Sequence, residues 1–230
     1  ALSERAEIVY DAIAESGAAT QHDEIRMVAS TAALRIGKVF EEAIANGRIS
    51  RDALFDRNYR PIANTSPPKH TTQFDAFTDR VLPEIQEAIL EAMPQLAYAG
   101  AVDDNGYFPT HNKKFSKPLT GDYDTDLVNN RTKRIFTDRT GKRCGSNTKA
   151  FLLQTYKRDT GEVMHDLSVP IYVSGKHWGG FRIGYRSSSA EQAAPVQTHA
   201  PQAGIKPQLR VPNRVAAKRT QIAHTTGRAS

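Results

Sequence analysis

Arg131, Lys133 and Arg134 form a basic group directly ahead of Ile135-Phe136. A guanidinium grips a carboxylate through two parallel N–H donors, so Arg134 and Arg131 are candidate anchors for an acidic small molecule; a solvated turn is the plain alternative. His111, His165 and His177 could together ligate a metal or haem, since imidazole is a common transition-metal ligand. They fall on different strands or loops, with no i, i+4 pair and no companion cysteine, so they read as surface or hydrogen-bonding histidines. His111 is kept as a ligand-contact candidate. Asp122, Asp124 and Asp126 alternate as in a calcium loop, but the glycine and bidentate glutamate that should follow are missing. Cys144 lies in Lys-Arg-Cys-Gly, where basic neighbours can lower a thiol pKa, yet no histidine partner stands near it in sequence. No catalytic constellation emerges, no catalytic or metal-ligating residue is assigned, and the chain is expected not to be an enzyme.

Strands must position these residues, and their alternation separates two faces. In Phe151–Lys157, Phe151, Leu153 and Thr155 share one face; Leu152, Gln154 and Tyr156 share the other. In Val163–Val173, Leu167, Val169 and Ile171 lie together, opposite Asp166, Ser168 and Tyr172. A pocket wants an apolar wall with a few polar anchors, which makes Tyr156, Asp166 and Trp178 candidates; Trp178 serves equally as core packing. Gly179, Gly180 and Gly184 punctuate Lys176–Tyr185, where small residues let a ligand or a helix approach the backbone. Gln95–Asp103 leads through the Asp104-Asn105-Gly106 turn into Tyr107–Pro109, a hairpin signal in which Asp103 caps the turn and Gly106 supplies a positive φ. About five strands are predicted.

Helices precede the strands. Ile8, Val9, Ala12 and Ile13 make one helical face over Leu2–Ser16. A second helix, capped by Thr20, runs through Ile25, Val28, Ala32, Ile36, Phe40 and Ile44 to Asn46-Gly47, and Ser50 caps a short third over Arg51–Phe55. Asn58–His70, with three prolines, reads as an irregular connector. A long helix begins at Thr71 or Thr72 and ends at Pro94, with a kink or restart expected at Pro83. Lys117–Gly145 is expected to be irregular apart from one short helix near Thr125–Asn130. The division is a helical linker over 1–18, an α+β domain with its helical lead-in over 19–186, and a disordered basic tail over 187–230.

The charge of +6 is concentrated in that tail. Of 31 Lys and Arg, six lie from Ser187 onward beside a single acid, Glu191. The preceding 186 residues carry 25 basic against 24 acidic side chains, so no basic stripe marks a nucleic-acid interface. One cysteine rules out an intrachain disulfide and a cysteine-built zinc site. No apolar run reaches the roughly 18 residues that a membrane-spanning helix needs. The chain begins at Ala and is expected to be a piece of something longer.

From Asn105-Gly-Tyr-Phe-Pro-Thr-His-Asn-Lys-Lys-Phe-Ser onward a family likeness emerges. That run, Arg131-Thr-Lys-Arg-Ile-Phe, Asp138-Arg-Thr-Gly, Phe151-Leu-Leu-Gln-Thr-Tyr and Pro170–Tyr185 together resemble the PAS/Cache-like sensory module of bacterial methyl-accepting chemotaxis proteins, the C-terminal cytoplasmic type. Gly47–Phe55 and Asp56–Pro61 resemble its helical lead-in, so the likeness covers about Asp23 to Tyr185. The resemblance implies an antiparallel sheet behind N-terminal helices. It also implies a cytoplasmic place in a membrane-anchored or soluble receptor, a homodimer, and the receptor's signalling coiled coil as partner. Its function would be to bind a small ligand, or read a cytoplasmic condition, and pass this to the signalling helices. The ligand and any cofactor are left open. Covalent haem of the Cys-x-x-Cys-His type is excluded, because the motif is missing. A protein-interaction module without a small ligand and a haem or metal redox sensor are the alternatives.

Overall fold

Apolar residues at Ile25, Ala29, Ala32, Ile36, Phe40 and Ala43 recur every three or four positions and build the buried stripe of α1 (Asp23–Ala45). The structure, a computed structural model, describes Thr20, residues 22–157 and residues 163–186. The stripe over Leu2–Ser16, the Thr160-Gly161 turn and the tail from Ser187 lie outside the described residues. His22, not Thr20, holds the N-cap position of α1; the Thr20 N–H donates to Asp23 Oδ2 instead, at 2.5 Å. Gly47, at φ 66°, ends the helix as its sequence suggests. Ser50 caps α2 (Arg51–Leu54) by accepting from the Ala53 N–H at 3.1 Å. Among the described residues no helix is long and apolar enough to cross a membrane.

Two expectations for the next segment give way. The connector contains a small antiparallel ribbon, β1 (Arg60–Ile62) with β2 (Lys69–Thr71), because Asn64 adopts a positive φ of 56° and turns the chain back on itself. α3 (Asp75–Ala92) begins a turn later than predicted, where the Asp75 carboxylate accepts from both the N–H and the hydroxyl of Thr72. It runs without restart through Pro83, its buried Phe77, Leu82 and Ile85 holding both halves against the core.

The main sheet has four antiparallel strands in the order β3-β8-β7-β6: β3 (Leu96–Asp103), β6 (Leu152–Lys157), β7 (Val163–Val173) and β8 (Lys176–Arg186). The fifth predicted strand, β4 (Tyr107–Phe108), exists but leaves this sheet to pair with β5 (Arg134–Ile135). The reason lies at the outer edge of β3. There the Ala101 N–H donates to Gln86 Oε1 of α3 and the Ala99 N–H to Asn112 Oδ1, each at 3.0 Å. At the turn, the Tyr107 N–H goes to Asp103 Oδ1 at 2.9 Å, so the chain leaves the strand's edge rather than laddering along it. Two short helices lie in the polar stretch: α4 (Tyr123–Asn129), as predicted, and α5 (Arg139–Ser146), capped by Asp138 through the Thr140 and Gly141 N–H groups, which was not.

The large core lies where α1 and α3 cover one face of the sheet. Phe40, Phe74 and Trp178 meet ring to ring, and the Trp178 indole N–H donates to the Leu54 carbonyl at 2.9 Å. The other face carries a smaller cluster of Val102, Phe108, Cys144 and Phe136, beneath α5. The strand glycines serve that second layer. A Cβ on Gly180 would lie 2.5 Å from the Cys144 carbonyl oxygen, and one on Gly184 would collide with the Tyr98 ring. What approaches the backbone here is thus a helix and a tyrosine.

Asp103 ties the layers together. Its fully buried carboxylate accepts from the Tyr59 hydroxyl at 2.6 Å and from the Asn105 and Tyr107 N–H groups, with Arg57 3.3 Å away. Burial pushes its pKa up to about 6, against the pull of Arg57 and these hydrogen bonds. Because the folded value lies above the ordinary 3.8, the folded state binds the extra proton between pH 4 and 6, and stability falls as pH rises through that window. Relative to Asp103→Asn, which keeps the hydrogen-bonding shape, wild type should lose up to about 3 kcal/mol of unfolding free energy between pH 4 and 6, measured by urea titration. A constant difference would count against it. Gly180→Ala should destabilise by about 1–3 kcal/mol, because the carbonyl it meets belongs to the α5 backbone; an unchanged melting temperature would refute that packing.

Candidate functional site

The sheet's second face is only part covered. Beside α5 it opens into a cleft of about 920 Å³. Strand pairing supplies its floor: Tyr98 stands level with Gly184 and Asp166, and Arg182 level with Gly100 and Ser168. The stretch from β4 to the start of α5 makes the opposite wall with Phe108, His111, Phe115, Arg131 and Phe136, and Tyr156 closes the β6 side.

A buried ion pair anchors the floor. Arg182 donates through Nε (3.0 Å) and Nη2 to Asp166 Oδ2, and through Nη2 to the Tyr98 hydroxyl at 3.0 Å; that hydroxyl in turn donates to Asp166. Burial disfavours the Arg182 charge, but the Asp166 carboxylate outweighs it and holds the guanidinium's pKa well above its ordinary value. Cleft cations are Lys114, Arg131, Arg182 and Arg186, facing Asp138 at the rim and Asp166 behind Arg182. Burial, reinforced by the charges of Arg131, Arg182, Lys114 and Arg134, drives the His111 pKa well below 6.5, so its ring is neutral at physiological pH. The ring stacks on Phe108 with centroids 4.0 Å apart.

The loop bearing Arg131 is clamped from below. Lys69 Nζ reaches the Asn130 and Thr132 carbonyls at 3.2 and 2.6 Å and also the Asn130 side chain, while the Arg131 N–H donates to Phe115 O at 2.7 Å. Burial lowers the Lys69 pKa to about 8. The guanidinium of Arg131 then lies over the Phe136 ring, 5.0 Å from its centroid.

Of the sequence-predicted candidates, Arg131, Tyr156 and His111 meet in the cleft, and Asp166 sits directly behind its floor. Arg134, the other candidate anchor, does not line it: β5 turns its side chain toward α4, where Nη1 donates to the Leu127 carbonyl at 3.2 Å. Trp178 is displaced altogether: alternation alone would put it on the face of Gly180 and Arg182, but the strand pairing slips between Ile171 and Tyr172, and Trp178 enters the core on the opposite face. The three histidines occupy separate environments: His165 joins Thr155 and Tyr185 on the α1 face, and His177 lies beside Tyr172. Among the described residues no group of three His, Cys, Asp or Glu could hold a metal ion. Asp122 caps α4 and Asp126 accepts from Thr120 and Gly121, which gives those carboxylates structural partners. Burial pushes the Cys144 thiol up to about 12, the reverse of the activation its basic neighbours suggested. Arg182 and Tyr98 were missed, although a lone arginine between Gly180 and Gly184 on one strand face was a visible signal.

No protein-family model, curated protein or solved structure matches this chain.

Removing one member of the buried pair leaves an uncompensated charge. Asp166→Ala should therefore cost about 3–5 kcal/mol of unfolding free energy, and the charge-free pair Asp166→Leu with Arg182→Met should recover most of it. Equal stability of the single and double variants in guanidinium titrations would contradict the pairing.

Proposed function

We propose that this chain is a sensory module of the kind found in bacterial methyl-accepting chemotaxis proteins, binding a small molecule in the cleft and passing its occupancy to signalling helices. The observation that carries this reading is convergence. Three of the runs that bear the family resemblance, Tyr107–Ser116, Arg131–Phe136 and Pro170–Tyr185, and the ends of two more, Asp138 with Thr140 and Tyr156, contribute side chains to this one cleft. Its size falls within the range of small-molecule sites, and its mixture of rings with a few convergent polar groups is what such sites use. A sheet face fully packed by other elements would have favoured a protein-interaction module; here one end of the face is open. A binding role rather than catalysis is further supported by Cys144, whose buried thiol stays protonated at neutral pH.

Tyr185 offers a route for output. It borders the end of the cleft while its ring stands on the α1 face, its hydroxyl 2.7 Å from His22 Nδ1 at the N-cap of α1. A ligand that favours one placement of Tyr185 would bias the start of that helix. Coupling of about 1–3 kcal/mol between two such arrangements is the usual scale. A homodimer, the receptor's own coiled coil as partner and a cytoplasmic location belong to the same proposal.

Native mass spectrometry of the purified chain, set against the denatured mass, tests this. A released small molecule, or a melting temperature raised by members of a metabolite panel, is expected; a ligand at a hundred times its Kd adds about 2.7 kcal/mol. A bare polypeptide mass with no member of the panel bound would turn the reading to a protein-interaction module.

A further inference from the structure

The two edges of the main sheet are finished differently. Along β3 the outward N–H groups of Ala99 and Ala101 go to Asn112 and Gln86. The other edge is β6, which pairs with β7 alone. Ladder alternation fixes which of its backbone groups face out. Because Ala99 and Ala101 face out, Gly100 and Val102 bond to Arg182 and Gly180, and Phe181 and Ile183 bond to Val169 and Leu167. Leu152, Gln154 and Tyr156 then bond to Ser168, Asp166 and Met164, and the backbone groups of Leu153 and Thr155 point away from the sheet. Pro170 fits this phase, since its missing N–H falls on the β6 side, beyond the first pair of that strand. Among the described residues no hydrogen bond reaches the outward backbone groups of Leu153 or Thr155. Native sheets blunt an open edge with a proline, a bulge, an inward charge or a covering loop. β6 keeps an unbroken register over Leu152–Lys157, contains no proline, and has its one charged residue, Lys157, at the end.

A strand is what such an edge accepts, and the flanking chain does not read as one. Thr20, where residues 1–19 lead in, borders the same groove as Phe151 and Leu153. Those residues carry a helical stripe and then Ala-Glu-Ser-Gly-Ala-Ala, and the sequence after Arg186 opens with Ser-Ser-Ser-Ala-Glu-Gln-Ala-Ala-Pro. Neither run has the β-branched and aromatic residues of a strand. β6 itself complements a second copy. A two-fold pairs residues that share a face, and the register centred on Gln154 uses the whole strand. It sets Leu152 opposite the partner's Tyr156, Leu153 opposite the partner's Thr155, and Phe151 opposite the partner's Lys157, so no like charges meet. Tyr156 also closes the β6 side of the cleft, which places the partner's Leu152 against that wall.

We infer that two copies of this chain pair antiparallel along β6, joining their four-stranded sheets into one continuous sheet, with the partner's Leu152 extending the cleft wall beside Tyr156. This rests on the homodimer of the sensory reading and supplies its interface. A six-residue edge falls short of the roughly 1,200 Å² of a stable complex, so the dimer forms with rising concentration. Sedimentation equilibrium of the full chain should show monomer passing to dimer between about 1 μM and about 1 mM. Thr155→Pro removes an outward N–H and no ladder bond, and should raise the dimer dissociation constant at least about tenfold. Thr155→Val also loses the hydroxyl's 2.9 Å contact with His165 but keeps the N–H, and should leave that constant unchanged. Leu152→Cys combined with Tyr156→Cys should give a covalent dimer under mild oxidation, because facing residues of a non-bonded pair lie about 4.5 Å apart at Cα, within disulfide reach. Neither single variant should cross-link; Cys144 is buried, with its thiol pushed up to about 12, and does not compete. If Thr155→Pro fails to fold, the cross-link decides. A chain that stays monomeric throughout, or a dimer that withstands Thr155→Pro and leaves the cysteine pair unlinked, overturns the inference. A small molecule released from a strictly monomeric chain overturns the pairing and leaves ligand sensing standing. The cross-linked dimer with a bare native mass and no bound panel member upholds the pairing and turns the sensory reading to a protein-interaction module.

Discussion

The outer edge of β3 is the constraint on which the arrangement depends. An edge strand presents backbone N–H groups that must find acceptors, and a neighbouring strand is the usual supplier. Here Gln86 and Asn112 supply them, and both side chains are fully buried. Gln86 also donates to the Thr110 carbonyl at 2.9 Å, so one amide locks α3, β3 and the departing chain together. With the ladder positions taken, residues 107–116 cross to the second face of the sheet. That crossing brings Phe108, His111 and Phe115 over Tyr98 and Arg182, and without it the sheet would have a fifth strand and no cleft wall.

The cleft floor rests on a second balance. A buried ion pair stabilises a fold weakly, since desolvation offsets much of its Coulomb energy. Its effect here is positional. Asp166 and Tyr98 spend two of the Arg182 nitrogens and hold the third at a set place on the floor. A cation on a long flexible stem thereby loses its freedom in the folded protein, which, under the proposed ligand-binding role, reduces the entropy cost of recognition. Small residues make room for this. Gly184 admits the Tyr98 ring, and Gly100 admits Phe108, whose Cζ would lie 2.5 Å from a Cβ there.

Much of this was legible from residue order. Periodicity found α1 and α3, capping residues found α2, and alternation sorted both faces of β6 and β7, because these signals depend on neighbours within a few residues. α5 was missed although Asp138 is a sound cap, since the helix is short and nearly devoid of apolar residues, and its burial comes from glycine and Cys144 packing on β3 and β8. At the site, Arg131, Tyr156, His111 and Asp166 were identifiable by type and face. Arg134 and Trp178 were plausible by type alone, and chain direction at β5 and the pairing slip at β8 sent each elsewhere.

The sequence by itself determined the α+β class, the helical lead-in and which residues share each strand face, because local hydrophobic period and turn chemistry are written in adjacent residues. Only the tertiary structure decided that β4 would abandon the sheet, that Arg182 would pair with Asp166, and that His111 and Arg131 would face the same cleft. Those outcomes turn on backbone groups and charges that are distant in sequence and must be satisfied once buried. Which partner satisfies each is settled only when the layers close.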